Sequence, residues 1–244
     1  MEVATNQQLR DSIEYYTKIF RPFMKKLTEE EQDTLLMYKA IGFIEINRSL
    51  YGEPYEINKG NIPSWFNKKQ NAKKIFEENV IRHIKILDSL FAKVPKSVLE
   101  KQPKIVYRGS SEDDVQGLKK GMELTTKGFL STSLFPHIAT GFIGCEGCCL
   151  FKFILNKPVP YIYLPWKLDS KSESLQSSEH EILLVRNLKF KVLEVQKVSL
   201  SKDDPYCPIE LIKKSQKKKL TMYVCELEEV LEDRSIPDVE IKIL

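Results

Sequence analysis

Three short stretches of this chain carry residue types that can act together on a phosphorylated sugar. The first is Ile105-Val106-Tyr107-Arg108-Gly109. The Arg108 guanidinium presents a fixed donor fork that matches a pyrophosphate at two points. Gly109 lets the backbone come close to a ligand. The second stretch is Gly128-Phe129-Leu130-Ser131-Thr132-Ser133. Strand alternation puts Ser131 and Ser133 on one face and Thr132 on the other, where hydroxyls can hold a carboxylate and a ribose in register. The third is Ser178-Glu179-His180-Glu181-Ile182-Leu183-Leu184. On a strand, Glu179 and Glu181 would share a face with Cα atoms about 6.6 Å apart, and His180 would turn away. Carboxylates so close raise one pKa unless a cation or a substrate lies between them. Such a pair suits chemistry at a sugar carbon that passes through an oxocarbenium-like transition state. One carboxylate stabilises the developing cation, and the other orients or deprotonates the nucleophile. Alone, each stretch also reads as ordinary strand-end or surface polarity; their succession in apolar, β-prone runs is the informative feature.

Other chemistries find no support. There is no G-x-G-x-x-G after a strand and no P-loop, so a dinucleotide would bind outside a Rossmann fold. No Ser/His/Asp or Cys/His arrangement stands in a recognisable context, and His83, His137 and His180 lack metal-ligand spacing. The cysteines are Cys145, Cys148, Cys149, Cys207 and Cys225, an odd number that argues against a disulfide framework. Cys145-x-x-Cys148-Cys149 has no second pair to complete a zinc shell. Because Cys148 and Cys149 open the apolar run 150–155, they read as reduced, buried strand residues, and no metal is expected. With 38 basic and 34 acidic residues the net charge is +4, too balanced to point to nucleic acid or a membrane surface. The basic run Lys213–Lys219 reads as a solvated turn. No stretch approaches the ~20 apolar residues of a transmembrane helix. Residues 1–8 have neither the basic start nor the apolar run of a secretory signal. The expectation is a soluble protein that acts where it is made, or reaches a host cytosol by a signal-independent route.

The elements that must position these residues fall into two halves. Hydrophobic content of 42% and charged content of 30% over 244 residues suit a globular protein with ample core. Apolar residues recur at helical spacing from Leu9 to Phe23. Thr28-Glu29-Glu30-Glu31 is a capping box that opens a second helix carrying Leu35, Leu36, Tyr38 and Ala40. A third helix is expected around 44–50, a loop over 55–67, and a further helix over 72–91. From residue 104 the period becomes that of strands, expected at 104–108, 128–133, 149–155, 159–163, 180–185, 188–197 and 220–227, with a short helix over 136–142. The fold expected is therefore α+β: a helical N-terminal lobe, 1–100, packed on a β-rich core, 101–244, whose several short strands suggest a mixed or antiparallel sandwich or a partly open barrel.

The ordered series Tyr107-Arg108-Gly109, Phe129-Leu130-Ser131-Thr132-Ser133 and Glu179-His180-Glu181 resembles the signature of the Arg-Ser-Glu class of mono-ADP-ribosyltransferases, which includes bacterial exoenzymes, binary toxins and vertebrate ecto-enzymes. Leu27-Thr28-Glu29-Glu30-Glu31, Tyr38 and Ile46-Asn47-Arg48-Ser49-Leu50-Tyr51-Gly52 are similar to the N-terminal helices of the exoenzyme branch. The resemblance implies NAD+ as co-substrate and a protein acceptor with an exposed arginine, without nucleic acid or membrane. It implies that Arg108 and Gly109 would hold the phosphates and the nicotinamide-side ribose, with Ser131, Thr132 and Ser133 lining the nucleotide site. Ser131 would position Glu181. Glu181 would bind the ribose 2′-hydroxyl and stabilise the cation as nicotinamide leaves. Glu179 would face the acceptor, Phe142 would stack on nicotinamide, and Trp166, in a substrate loop over 165–178, would touch the protein substrate. An NAD+ glycohydrolase using the same site, and an inactive binding module of this fold, are the rival readings.

Overall fold

Threonines open the first two helices of the computed structural model, which describes residues 5–57, 68–111, 115, 117–141, 148–164, 180–199 and 219–243. Thr5 caps α1 (Asn6–Met24) and Thr28 caps α2 (Glu29–Met37), each in a reciprocal capping box with Gln8 or Glu31. One face of α1 buries Leu9, Tyr16, Phe20 and Phe23. The second helix does not run on through Tyr38 and Ala40 as its periodicity suggests. It ends at Met37 and passes through a π-helical turn, Tyr38–Gly42, into α3 (Phe43–Leu50). An inserted residue of this kind rotates everything after it relative to the preceding turn. Gly42 permits it, since a Cβ there would lie 1.8 Å from Met37 Sδ.

Residues 55–57, expected in a loop, form β1 (Tyr55–Ile57). The helical stretch that follows comprises α4 (Lys68–Phe76), a second π-helical turn (Glu77–Ile81) and α5 (Arg82–Lys93), and Pro95 leads into the short α6 (Lys96–Leu99). Strands follow: β2 (Ile105–Ser111), β3 (Glu123–Thr126) and β4 (Leu130–Ser133), then helix α7 (Pro136–Gly141), then β5 (Cys148–Ile154), β6 (Tyr161–Leu164), β7 (Glu181–Leu184), β8 (Leu188–Ser199), β9 (Lys219–Val230) and β10 (Ile241–Ile243). β1 is paired, in parallel, by β10. The partner lies nearly the whole chain away, which explains why local pattern gave no sign of it.

The remaining eight strands pair in the order β3-β8-β9-β5-β2-β4-β7-β6. Every neighbour is antiparallel except β5 and β9. The fold is thus α+β with a mixed sheet, as expected. Helices cover the β4-β7-β6 side through aromatic contacts. Phe20 meets Tyr161 at 5.2 Å, Tyr16 meets Tyr163 at 5.6 Å, and Phe91 stacks on Phe129 at 5.6 Å. Such pairs add to the area they remove from water.

A buried ion pair joins the two halves elsewhere. Arg186, 1% exposed, donates to Asp88 of α5 at 2.8 to 3.2 Å and to the carbonyls of Ser235 and Arg234. Cys149 and Cys225 are buried strand residues, as the sequence suggests. Burial pushes the Cys225 thiol up to about 12, which keeps it protonated and unreactive.

Candidate active site

Sheet register brings the three sequence stretches side by side. β4 lies between β2 and β7, with Tyr107 opposite Ser133 and Ser133 opposite Glu181. Arg108 is half-buried and donates from Nη1 to the Ser131 carbonyl at 2.8 Å. Ser131 donates from Oγ to Glu181 Oε1 at 2.6 Å, the short distance of a charge-assisted bond. Thr132 donates to the Ile182 carbonyl at 2.6 Å and so locks β4 to β7 at the same level. Glu181 is only 5% exposed. Its second oxygen faces Lys39 Nζ at 3.3 Å, and Lys39 also donates to the Leu164 carbonyl at 3.3 Å.

A cavity of about 330 Å³ opens between the helices and the sheet. Its strand wall carries Tyr107, Arg108, Gly109, Ser131, Thr132, Ser133 and Glu181, and its helical wall carries Tyr38, Lys39, Phe43 and Asn47. The donor set suits a dinucleotide: cations for a diphosphate, a carboxylate and hydroxyls for ribose, and aromatic edges for a base. Tyr38 and Asn47 fix the two walls to each other. The Tyr38 hydroxyl donates to the Phe129 carbonyl at 3.2 Å, and Asn47 Nδ2 donates to both the Tyr38 oxygen and the Phe129 carbonyl at 3.2 Å. Burial raises the Tyr38 phenol far above its ordinary range, so it remains a donor. Gly128 is required at this junction, because a Cβ there would lie 2.6 Å from Asn47 Oδ1.

The strand expected from residue 180 starts one position later. β7 begins at Glu181, and His180 has a left-handed backbone with φ 44°, an uncommon state for a residue with a side chain. His180 is fully buried, edge-on to Phe135 at 5.0 Å, and its carbonyl accepts from Leu134 N–H at 3.2 Å. Burial first, and the neighbouring His137 second, push its pKa down to about 4. The imidazole is neutral at physiological pH and packs against Phe135.

Of the residues anticipated from sequence, Arg108, Gly109, Ser131, Thr132, Ser133 and Glu181 meet in this cavity. Glu179, Phe142, Trp166 and residues 213–218 of the basic run lie outside the described residues. Among the described residues no cluster of His, Cys, Asp or Glu has the makings of a metal site, and no helix is long and apolar enough to cross a membrane. Sequence reasoning missed Lys39 and Phe43 as cavity residues. Both belong to a segment that reads as an ordinary helix until the π-helical turn re-aims it.

Comparison with known proteins decides the family. The model of the ADP-ribosyltransferase exoenzymes matches residues 13–222, most of the chain. The chain belongs to that family. ADP-ribosyltransferases use NAD+ as co-substrate, and the toxins among them act on proteins. Similar solved structures include the Vis toxin, an ADP-ribosyltransferase from Vibrio splendidus. It is 14% identical with a TM-score of 0.57, and the match covers 99% of this chain and 93% of that one. The ADP-ribosylating toxin BECa of a Clostridium perfringens binary enterotoxin, solved with NADH, gives 16% identity and a TM-score of 0.59, covering 90% of this chain and 48% of that one. Plx2a, an ADP-ribosyltransferase toxin from Paenibacillus larvae, gives 15% and 0.52, covering 91% and 96%. At these identities the likeness is one of fold. No curated protein sequence matches the chain.

Proposed function

We propose that this exoenzyme-family chain transfers a single ADP-ribose from NAD+ to an arginine side chain of a protein. One observation carries the reading: Ser131 Oγ donates to Glu181 Oε1 at 2.6 Å inside a cavity that also holds the Arg108 guanidinium. Arg108 binds the diphosphate, Gly109 allows its close approach, and Ser131, Thr132 and Ser133 line the ribose side. Glu181 accepts from the ribose 2′-hydroxyl and stabilises the charge that develops as nicotinamide departs, the step at which preorganised electrostatics contribute most. Glu179 faces the acceptor guanidinium, Phe142 stacks on nicotinamide and Trp166 meets the protein substrate. Solved neighbours support the nucleotide and the acceptor class: BECa was captured with NADH, and Vis with agmatine, whose guanidinium is that of arginine. The helical lobe, 1–100, and the β-rich core, 101–244, act as one catalytic unit, since both supply walls of the cavity.

The test is mass spectrometry of a cell lysate incubated with NAD+ and either the wild-type protein or Glu181→Gln. Arginine-linked ADP-ribose with wild type alone is the expected result. Nicotinamide release without any adduct would assign the same site to NAD+ hydrolysis. Equal labelling by the variant would remove Glu181 from the mechanism.

A further inference from the structure

The contact between Lys39 and Glu181 is not accounted for by ribosyl chemistry. A carboxylate that stabilises positive charge on a substrate here already faces a cation of the chain itself. Lys39 Nζ lies 3.3 Å from Glu181 Oε2, with each side chain only 7% exposed. The ammonium has a second anchor in the Leu164 carbonyl at 3.3 Å. Leu164 and Glu181 are paired residues of adjacent strands, so one cation reaches both from the opposite wall and has a fixed seat. The seat exists because Lys39 stands on the π-helical turn Tyr38–Gly42, which aims its side chain across the cavity.

We propose that Lys39 sets the charge selectivity of the nucleotide cavity, as a tethered counterion that competes with the positively charged nicotinamide ring for Glu181. This rests on the NAD+ reading given above. NAD+ and NADH share their adenine, riboses and diphosphate. They differ at the nicotinamide ring, cationic in the first and neutral in the second. A lysine seated beside the carboxylate cancels much of its pull on the cationic ring. The attraction of Arg108 and Lys39 for the diphosphate is common to both nucleotides. Unit charges a few ångströms apart in a partly buried site interact strongly enough to change an affinity by an order of magnitude. The site therefore admits the reduced nucleotide more readily than a bare carboxylate would allow, and Lys39 must yield its place as charge develops on the ribose.

The experiment is calorimetric titration of wild type, Lys39→Met and Lys39→Arg with NAD+ and with NADH, accompanied by thermal melts. Methionine keeps the unbranched stem and removes the charge. The ratio Kd(NADH)/Kd(NAD+) is expected to rise roughly tenfold or more in Lys39→Met and to stay at its wild-type value in Lys39→Arg. A purely structural role would shift both affinities together and leave the ratio unmoved. An unmoved ratio in a Lys39→Met protein that melts like wild type overturns the inference, as does a Lys39→Arg protein that shifts the ratio equally. If methionine unfolds the turn, Lys39→Gln makes the same comparison. Failure of wild type to bind either nucleotide overturns the proposed function itself, and this inference with it.

Discussion

Replacing Ser131 with alanine isolates one interaction in the candidate site. The hydroxyl donates to Glu181 Oε1 at 2.6 Å, whereas the contact from Arg108 is made to the Ser131 backbone carbonyl. Alanine thus removes the first and keeps the second. Ser131 is also only half-buried, so the lost oxygen leaves little void. A hydrogen bond to an ionised acceptor contributes about 1.5–3 kcal/mol. If it aims the carboxylate in the transition state and not in the ground state, that energy appears in kcat. At about 1.4 kcal/mol per factor of ten, the expected loss is roughly 10- to 150-fold, with KM for NAD+ little changed. Chromatographic measurement of nicotinamide release gives both constants without a protein acceptor. A melting curve confirms that the fold is intact. A Ser131→Ala protein with kcat within about threefold of wild type would refute the argument that this hydroxyl positions Glu181.

Two further outcomes test the frame around the site. Asp88→Ala leaves the Arg186 guanidinium buried at 1% exposure without its carboxylate, and is expected to cost about 3 kcal/mol or more in urea unfolding; an unchanged midpoint would show that the Ser235 and Arg234 carbonyls suffice. His180 has its folded pKa depressed to about 4 from an ordinary 6.5, so the unfolded chain binds more protons between those values and stability, full above the upper one, falls as pH drops through the window. His180→Asn, which tolerates the left-handed backbone, is expected to flatten that dependence in melts recorded across the window; an identical pH slope would sink it.

Much of the architecture was legible because it is written in local periodicity. The capping box at Thr28, the apolar face of α5 and the strand runs at Val106, Phe151 and Ile182 each specify an element from within its own span. The cavity-lining residues Arg108, Ser131 and Glu181 were legible for the same reason, since they sit at fixed offsets in such strands. What escaped depends on distant partners. β1 and β10 are three residues each and exist only through each other. β3 is a half-exposed edge strand with the sequence Glu-Leu-Thr-Thr, and shows no apolar alternation. Lys39 reads as a polar position on a helix, and nothing in the residues around it announces that a π-helical turn will aim its ammonium at a carboxylate 142 positions later.

The parallel pairing of β9 with β5 has a consequence for the order in which the sheet can assemble. Arg108, Ser131 and Glu181 have all been polymerised by residue 181, yet they occupy only one side of the sheet. Strands β3 and β8 connect to that side only through β9, which spans Lys219–Val230. Arg186 then waits for the carbonyls of residues 234 and 235, and β1 waits for residues 241–243. During synthesis the chemistry-bearing residues therefore precede the strand that completes their support by some forty positions or more. A partly made chain carries the five strands β5-β2-β4-β7-β6, which set the register of these residues, before the other half of the sheet can be attached. The candidate site is thereby framed by half a sheet until residues 219–230 arrive to join β3 and β8 to it.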